Sequence, residues 1–231
     1  MEHTSRQPVL PLVPDTCLAA GAVLHDRDGH SVVAHYGSVA GEIAVCMKSV
    51  GLADRSDYGA FELCGDRGLL DRALIDRLGD PPPAVGSGRR VHGVWYLRVH
   101  ARRALLVGSH AALASQRAIA RRRGRGELPQ RDIGASLALV GIVGPRAERL
   151  LAAAGLPGDL PIGAVGAGAG AGDTDVVAIL RESQRRYLAL LRVDAADAFW
   201  ARLLSAGKPL GAAFVGYDAL MLLNASSRAA G

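Results

Sequence analysis

Residues 35–63, HYGSVAGEIAVCMKSVGLADRSDYGAFEL, decide the fold more than any other part of this chain. An H-Y-G turn leads to Ser38, a typical helix N-cap, and the residues that follow predict a helix over 39–49. Glycines at both ends of 51–59 then predict a turn into a short strand at 60–64. A capped helix followed by a turn and a strand is the local pattern of a mixed α and β domain.

Helix and strand signals alternate along the rest of the chain, which predicts the α+β class. Glycines and prolines separate the elements: Gly79 and Gly207 end helices, and a proline run at 80–83 breaks the chain. The predicted helices are 66–78, 110–123, 145–154, 194–206 with Asp194 as its cap, and 211–223. The predicted strands are 91–99, 103–107, 136–143, 175–180 and 186–192.

Composition places the chain among ordinary folded proteins, with 231 residues, 49% apolar and 21% charged. Its cysteines, Cys17, Cys46 and Cys64, show no C-x-x-C spacing, which argues against a disulfide or zinc framework and for a reducing compartment. No apolar run approaches the ~18 residues of a membrane span, and the proline-containing N-terminus lacks a signal-peptide core. We therefore expect a cytoplasmic protein.

Two biased segments invite functional interpretations that other features oppose. The arginine run at 121–125 contributes to the formal charge of +5, but no aromatic residues interleave with it, so a solvated helix end is favoured over nucleic-acid binding. The glycine repeats at 163–173 do not follow a predicted strand or open a helix. They are therefore interpreted as a flexible connection and not as a phosphate-binding loop.

Residues 35–63 resemble the N-terminal part of the glycine-cleavage T-protein family, the folate-dependent aminomethyltransferases. That family has a similar H-Y-G-S turn, a helix with an early Glu, and then G-[LM]-x-D-x-S-H-M-G. The His-Met pair of the family is Asp57-Tyr58 in this chain. The matching residues align without a gap: His35, Tyr36, Gly37, Ser38, Glu42, Gly51, Asp54, Ser56 and Gly59.

Residues 134–151 and 187–222 resemble later parts of the same family, in the same order. The resemblance implies ferredoxin-like halves around a central folate-type pocket, without the C-terminal β-barrel of the family. It also implies a folate-binding-like domain over residues 21–224, with an N-terminal extension at 1–20 and a C-terminal tail at 225–231.

The departures from the family pattern fall where its chemistry is expected. The family's catalytic Asp, in a G-G-x-x-D-D-L segment, corresponds to 90–98, where His92 or Gly93 replaces it. A carboxylate there could hold and deprotonate an ammonium group, and His92 becomes the candidate catalytic residue. Gln184 stands at the position of a pterin-binding Glu, which weakens a charge-assisted bond. Met47 and Met221 replace arginines of the family.

The resemblance thus implies a cofactor-binding set of Tyr36, Asp54, Ser56, Tyr58, Tyr96 and Gln184. Several of these residues also have structural interpretations. Asp54 could brace the turn at 51–59, and the tyrosines could belong to the core. His92 and His100 share strand parity, but no third ligand has suitable spacing, so no metal site is predicted.

Two functions follow from the resemblance. The first is an aminomethyltransferase-like protein of one-carbon metabolism that binds tetrahydrofolate, with His92 replacing the carboxylate. The second is a non-catalytic subunit that resembles the gamma subunit of heterotetrameric sarcosine oxidase. Such a subunit would pair with a flavin amine oxidase-type subunit or with itself. The expected contact surface contains Phe214, Leu220, Leu222 and Leu223.

Overall fold

A computed structural model describes residues 15–27, 29–123, 128–166 and 176–229. The strands form two large sheets and a separate hairpin, β1 (Val23–Arg27) with β2 (His30–His35). The six-stranded sheet has the order β10-β11-β12-β9-β3-β13, and the five-stranded sheet has the order β5-β6-β7-β4-β8. Neighbouring strands are antiparallel in both, except that β13 runs parallel to β3.

The bounds of the remaining elements are as follows. The other strands are β3 (Val50–Asp54), β4 (Tyr58–Cys64), β5 (Ser87–Val91), β6 (Val94–His100), β7 (Arg103–Ser109), β8 (Gln130–Asp132), β9 (Leu137–Val143), β10 (Val165–Gly166), β11 (Val176–Ser183), β12 (Arg186–Arg192) and β13 (Ala212–Phe214). The helices are α1 (Asp15–Ala19), α2 (Val39–Lys48), α3 (Arg67–Leu78), α4 (His110–Arg123), α5 (Ala147–Ala153), α6 (Ala196–Gly207) and α7 (Tyr217–Ala229).

The buried apolar residues form layers between helices and sheets. Helices α1, α5 and α6 pack on one face of the six-stranded sheet, with Trp200 fully buried between them. The opposite face meets the five-stranded sheet through residues such as Leu97 and Leu188. Helices α3 and α4 cover the outer face of the five-stranded sheet. This α+β arrangement confirms the fold class predicted from the sequence.

The chain passes between the two large sheets at two places that lie side by side. One passage joins β3 to β4 through residues 55–57, and the other joins β8 to β9 through residues 133–136. The Arg55 amide donates to the Leu139 carbonyl at 3.0 Å, and the Ile133 amide donates to the Ala60 carbonyl at 3.1 Å. These bonds hold the two passages together side by side.

The predicted helix at 39–49 and its cap are confirmed. Ser38 Oγ accepts a hydrogen bond from the Gly41 amide at 3.2 Å, and the helix runs over Val39–Lys48. The helices predicted at 66–78 and 110–123 and the strand at 186–192 also appear within a residue of their expected ends. These segments had both an apolar pattern and a stop signal, and the two together fix the boundaries.

Three predicted elements are wrong in part, each because of a local turn or a tertiary contact. The strand at 91–99 is interrupted by a two-residue turn, with His92 at φ 48° and Gly93 at φ 82°, that joins β5 to β6. The helix at 211–223 begins only at Tyr217, because Ala212–Phe214 pairs with β3. Pairing with a neighbouring strand overrides local helix propensity.

Asp194, the predicted cap of α6, does not cap the helix. Its carboxylate binds Arg192 instead, and a 3₁₀ turn at Val193–Ala195 precedes the α-helix. Within the described chain, α6 has no side-chain hydrogen bond at its N-cap position. A nearby guanidinium offers this carboxylate a charge-assisted bond, which is stronger than a neutral cap interaction.

The expected terminal segments join the fold where they are described. Residues 15–19 form α1, whose Cys17 is fully buried and whose Thr16 hydroxyl donates to Asp197 on α6 at 3.2 Å. Residues 225–229 continue α7. Most of the glycine-rich segment at 163–173 and part of the arginine run at 121–125 lie outside the described residues. Among those described, no helix has the length and apolar character needed to cross a membrane.

Candidate ligand-binding cavity

The passage from β3 to β4 forms one wall of a cavity of about 1050 Å³. The beginning of α4, the segment before β9 and the start of β2 form the rest of the lining. Small-molecule sites typically enclose ~300–1,000 Å³, so this volume can hold a ligand of cofactor size. The polar side chains on the lining are His30, Ser31, Asp54, Arg55, Ser56, Tyr58, His110, Arg117 and Asp132.

Asp54 is the buried carboxylate of the lining, with 8% of its surface exposed. Its Oδ2 accepts a hydrogen bond from the Ser56 amide at 3.2 Å. The Ser56 hydroxyl is also buried and has no hydrogen-bond partner among the described residues. Burial raises the pKa of Asp54 to about 6, and the neighbouring Ser56 only partly opposes this effect. Asp54 can therefore change its protonation near neutral pH.

Arg55 is held in one orientation by its neighbours. Its Nε and Nη2 donate to the Asp57 carboxylate at 2.7 and 2.9 Å, and its guanidinium lies 3.7 Å from the centre of the Tyr58 ring. Burial alone would lower the pKa of Arg55, but the charge of Asp57 raises it well above the usual value. Asp57 thus neutralises the guanidinium nearest in sequence to Asp54, and the pair fixes the Tyr58 ring beside the cavity.

The tip of the β1–β2 hairpin meets the first residue of α4 at the lining. The rings of His30 and His110 stack with centroids 3.5 Å apart and planes 3° from parallel. His110 Nε2 lies 3.1 Å from the Ser56 carbonyl oxygen, which can only accept, so a hydrogen bond between them requires the proton on Nε2. This contact links the hairpin, the helix and the β3–β4 passage around one side of the cavity.

A second polar group lies between the sheets, on the side of β11 and β12. The Trp95 indole donates to Glu182 at 3.0 Å, and Arg186 donates to the Asn224 side chain. Burial lowers the pKa of Arg186, and the charge of Glu182 opposes this effect. The charge of Glu182 also contributes to the raised pKa of Arg55, so the two sets of polar side chains interact electrostatically.

The structure brings together only part of the set of site residues that the sequence predicts. Asp54, Ser56 and Tyr58 line the cavity. Tyr36 instead stacks on Phe214, with ring centroids 5.1 Å apart, among residues that pack against the helices of the six-stranded sheet. Tyr96 is buried below α4, where its hydroxyl donates to Gln116 Oε1 at 3.0 Å. Both rings therefore pack in the core, although the Tyr36 hydroxyl is buried without a hydrogen-bond partner among the described residues.

The two replacement residues lie at exposed turns. His92 is exposed at the turn between β5 and β6, and its positive φ keeps the residue at the tip. Gln184 is exposed in the turn between β11 and β12, where its carbonyl accepts a bond from Arg181 at 3.2 Å. Neither side chain lines the cavity beside Asp54. Met221, at the position of a family arginine, is also exposed, on α7.

Sequence patterns missed several residues of the lining. His30, His110, Arg117 and Asp132 come from a hairpin tip, one helix and a short strand, and no spacing rule connects these elements. One signal was present: His110 opens a predicted helix three residues after a predicted strand ends, and connections between elements often carry functional side chains. Arg117, two turns further, holds its guanidinium 4.8 Å from the centre of the Phe61 ring.

Comparison with known proteins finds similarity in structure but not in sequence models. No protein-family model matches the chain, and no curated protein matches it in sequence. The glycine cleavage system aminomethyltransferase T from Bartonella henselae superposes with a TM-score of 0.70 at 20% identity, covering 89% of this chain. The match covers 58% of that enzyme, so the chain spans less than two thirds of its length.

A second solved structure is similar over nearly its whole length. A chain of the heterotetrameric sarcosine oxidase from Corynebacterium sp. U-96 superposes with a TM-score of 0.54 at 18% identity. The match covers 76% of this chain and 93% of that one. The glycine-cleavage T-protein relation that the motifs at 35–63 predict is therefore supported by structure, and the chain has the fold of these aminomethyltransferases.

Proposed function

We propose that this chain is an aminomethyltransferase-like protein that binds tetrahydrofolate in the cavity beside Asp54 and has an altered catalytic site. The observation that supports it best is the position of the cavity. The β3–β4 passage that lines it belongs to the same stretch, 35–63, that resembles the folate-dependent family. The chain also has the fold of aminomethyltransferase T, which supports the same proposal.

The lining suits a flat, partly apolar and anionic ligand. Its volume of about 1050 Å³ accommodates a pterin with its aminobenzoyl-glutamate arm. Leu113, Leu137 and Leu139 supply apolar contact, and Tyr58 and Phe61 supply aromatic rings. Arg117 supplies a cation for a glutamate carboxylate, in which the guanidinium can make two parallel bonds. The residues present therefore fit tetrahydrofolate.

The altered catalytic site follows from where the replacement side chains lie. Tetrahydrofolate, when bound, would supply the nitrogen atoms that carry a one-carbon unit. This chain would bind and orient it with Arg117, Tyr58 and the apolar wall, and would keep water from one face. Because His92 does not line the cavity, it would not exchange a proton with a ligand bound there.

Calorimetric titration with 5-formyltetrahydrofolate, an oxidation-resistant form, tests the proposal. We expect a Kd on the order of tens of micromolar, because Arg55 on the lining is already paired with Asp57 and Arg117 is left as the arginine of the lining for a ligand carboxylate. Arg117→Gln should weaken binding by roughly 5- to 20-fold. Arg102→Gln, an exposed arginine paired with Asp66, is the matched control and should change nothing. No binding at ~1 mM, or equal effects of both variants, would contradict the proposal.

A non-catalytic partner subunit is the second candidate function, and the match to 93% of a sarcosine oxidase chain favours it. Helices α2 and α7 pack together and expose Met47, Met221 and Leu222, at 61%, 46% and 52% of their surfaces. Of the contact surface expected from the sequence, only Leu222 is exposed. Phe214 stacks on Tyr36, Leu220 is buried, and Leu223 packs inward.

Sedimentation velocity tests this second candidate. The chain should associate with itself, or with a co-expressed flavin amine oxidase-type subunit, through the α2–α7 face. Leu222→Glu should abolish the association without loss of thermal stability, because the side chain is exposed. Val85→Glu, at a similarly exposed apolar residue elsewhere, is the control. A chain that remains monomeric at high concentration and does not bind the co-expressed subunit would contradict this function.

A further inference from the structure

We propose that the end of the six-stranded sheet opposite the cavity is a docking surface for an acidic segment of another protein. Five exposed cations, which we call the basic end, form this surface: Lys48, Arg146, Arg149, Arg185 and Lys208. They belong to segments near the start of β3 and the end of β9, whereas the cavity lies where β3 ends and β9 begins. The proposal rests on neither candidate function, because the positions and charges of these side chains carry it.

Hydrogen bonds to the backbone bring the segments that carry these cations side by side. The Arg146 amide donates to the Ser49 carbonyl at 3.2 Å, and the Gly144 amide donates to the Arg185 carbonyl at 2.8 Å. The Arg146 guanidinium donates to the Leu210 carbonyl at 2.9 Å. The other members of the basic end are one to three residues from these contacts in sequence: Lys48, Arg149 and Lys208. The segments are therefore held together before a partner binds, which lowers the cost of binding.

The cations of the basic end have no carboxylate partner. Elsewhere even exposed arginines form ion pairs: Arg102 lies 3.0 Å from a carboxylate oxygen and Arg131 lies 2.9 Å from one. Among the described residues, no member of the basic end forms such a pair. The neighbouring carboxylate of Glu148 is bound to Arg181 at 3.3 Å. Five like charges without counter-charges repel one another, so binding of a polyanion would relieve this repulsion.

The composition of the basic end indicates which polyanion it fits. The segments that carry the cations contain no aromatic residue: 47–49, 144–149, 184–186 and 208–211. They therefore offer no ring on which nucleic-acid bases stack, and none that anchors a protein at a membrane interface. Guanidinium groups match carboxylates in geometry, and Met47, 61% exposed at the same end, supplies apolar contact. Methionine and arginine are enriched in protein–protein interfaces, so the surface fits a protein segment rich in Asp and Glu.

Decaglutamate with a fluorescent label is a suitable probe, because it presents several carboxylates on a peptide backbone. Binding would be followed by fluorescence anisotropy at low ionic strength, where exposed charges are least screened. The double variant Arg149→Gln/Arg185→Gln should weaken binding at least about fivefold, since it removes two of the cations. Thermal denaturation checks that the variant is folded, which is expected because both side chains are exposed.

The matched control is the double variant Arg72→Gln/Arg90→Gln, which removes the same charge from two exposed arginines, on α3 and β5. These arginines also form no ion pair with a described residue. The control should change the affinity for decaglutamate by less than about twofold. Equal weakening in the two double variants would show that net charge alone attracts the peptide, and would overturn the proposal. Absence of binding at about 1 mM peptide would overturn it as well.

Chemical-shift mapping of the unmodified chain is a second measurement that needs no variant. Decaglutamate should shift the backbone amides of the four segments of the basic end, and shifts centred elsewhere would contradict the proposal. Duplex DNA or phosphatidylserine vesicles that bind the basic end more tightly than decaglutamate would assign it to another class of partner, and would also contradict it. The candidate functions are tested separately, because Leu222→Glu and added 5-formyltetrahydrofolate should both leave decaglutamate binding unchanged.

Discussion

Glu42 and Asp54 are almost equally buried, at 6% and 8% exposure, but their surroundings differ. Glu42 Oε1 accepts the Tyr36 amide and its Oε2 accepts the Gly216 amide, both at 2.7 Å. It thereby joins the turn after β2 to the turn before α7. Asp54, at the end of β3, is bonded only by its neighbour Ser56 and lines a cavity.

The difference shows that burial alone does not indicate what a carboxylate does. Both residues match the family motif at 35–63, so the sequence does not distinguish their roles. The hydrogen-bonding capacity of Glu42 is used to hold two chain segments, which is a structural role. That of Asp54 is left partly unused beside an open volume, which is the arrangement expected of a ligand-binding group.

The largest expected effect is on stability, at Glu42. Glu42→Ala should lower the free energy of unfolding by about 3–4 kcal/mol, because it leaves the buried amides of Tyr36 and Gly216 without acceptors. Urea denaturation measures this. Glu148→Ala, which removes a half-exposed carboxylate paired with Arg181, is the control and should cost less than about 1 kcal/mol. Equal losses in the two variants would remove the structural role of Glu42.

Asp54→Asn should raise the free energy of unfolding relative to the unmodified chain as the pH rises, whereas Glu42→Ala lowers it. The pKa of Asp54 is about 6 in the folded chain against 3.8 as its ordinary value, so folding disfavours the charged form. Its contribution to stability therefore falls as the pH rises from about 4 through 6, by up to about 3 kcal/mol in total. Relative to the unmodified chain, Asp54→Asn should gain stability over this range. A difference that is constant with pH, or that favours the unmodified chain at pH 7.5, would contradict the burial effect.

Tyr96→Phe separates a core role from a binding role for that tyrosine. The change removes the hydroxyl that donates to Gln116, so the free energy of unfolding should fall by about 1 kcal/mol. Binding of 5-formyltetrahydrofolate should be unchanged, because the ring does not line the cavity. Weakened binding with unchanged stability would instead show that Tyr96 contacts the ligand, as the resemblance to the family implied.

The smallest expected effect is at His92. His92→Gly should leave stability unchanged or raise it by about 0.5 kcal/mol, because glycine adopts the φ of 48° without the steric penalty that histidine has there. Ligand affinity should stay the same. Thermal denaturation and the calorimetric titration check the two parts. A clear loss of affinity would mean that His92 reaches the ligand after all.

Local patterns predicted the helices and strands that have their own start and stop signals, as at Ser38 and Gly79. They failed at 211–223 because pairing with β3, distant in sequence, decides the conformation of β13. For the cavity, the motif at 54–58 was predictable because its residues are consecutive. The positions of His30, Arg117 and Asp132 depend on how separate elements pack, and no sequence pattern contains that information.

Chemical-shift mapping with 5-formyltetrahydrofolate tests most directly whether the cavity beside Asp54 is the ligand site. The backbone amides of the isotope-labelled chain would be followed as the ligand is added. We predict saturable shifts centred on residues 54–61, 110–117 and 134–139, the segments that form the lining. Shifts centred on the turns at His92 and Gln184 instead, or no saturable shifts at ~1 mM ligand, would contradict the account.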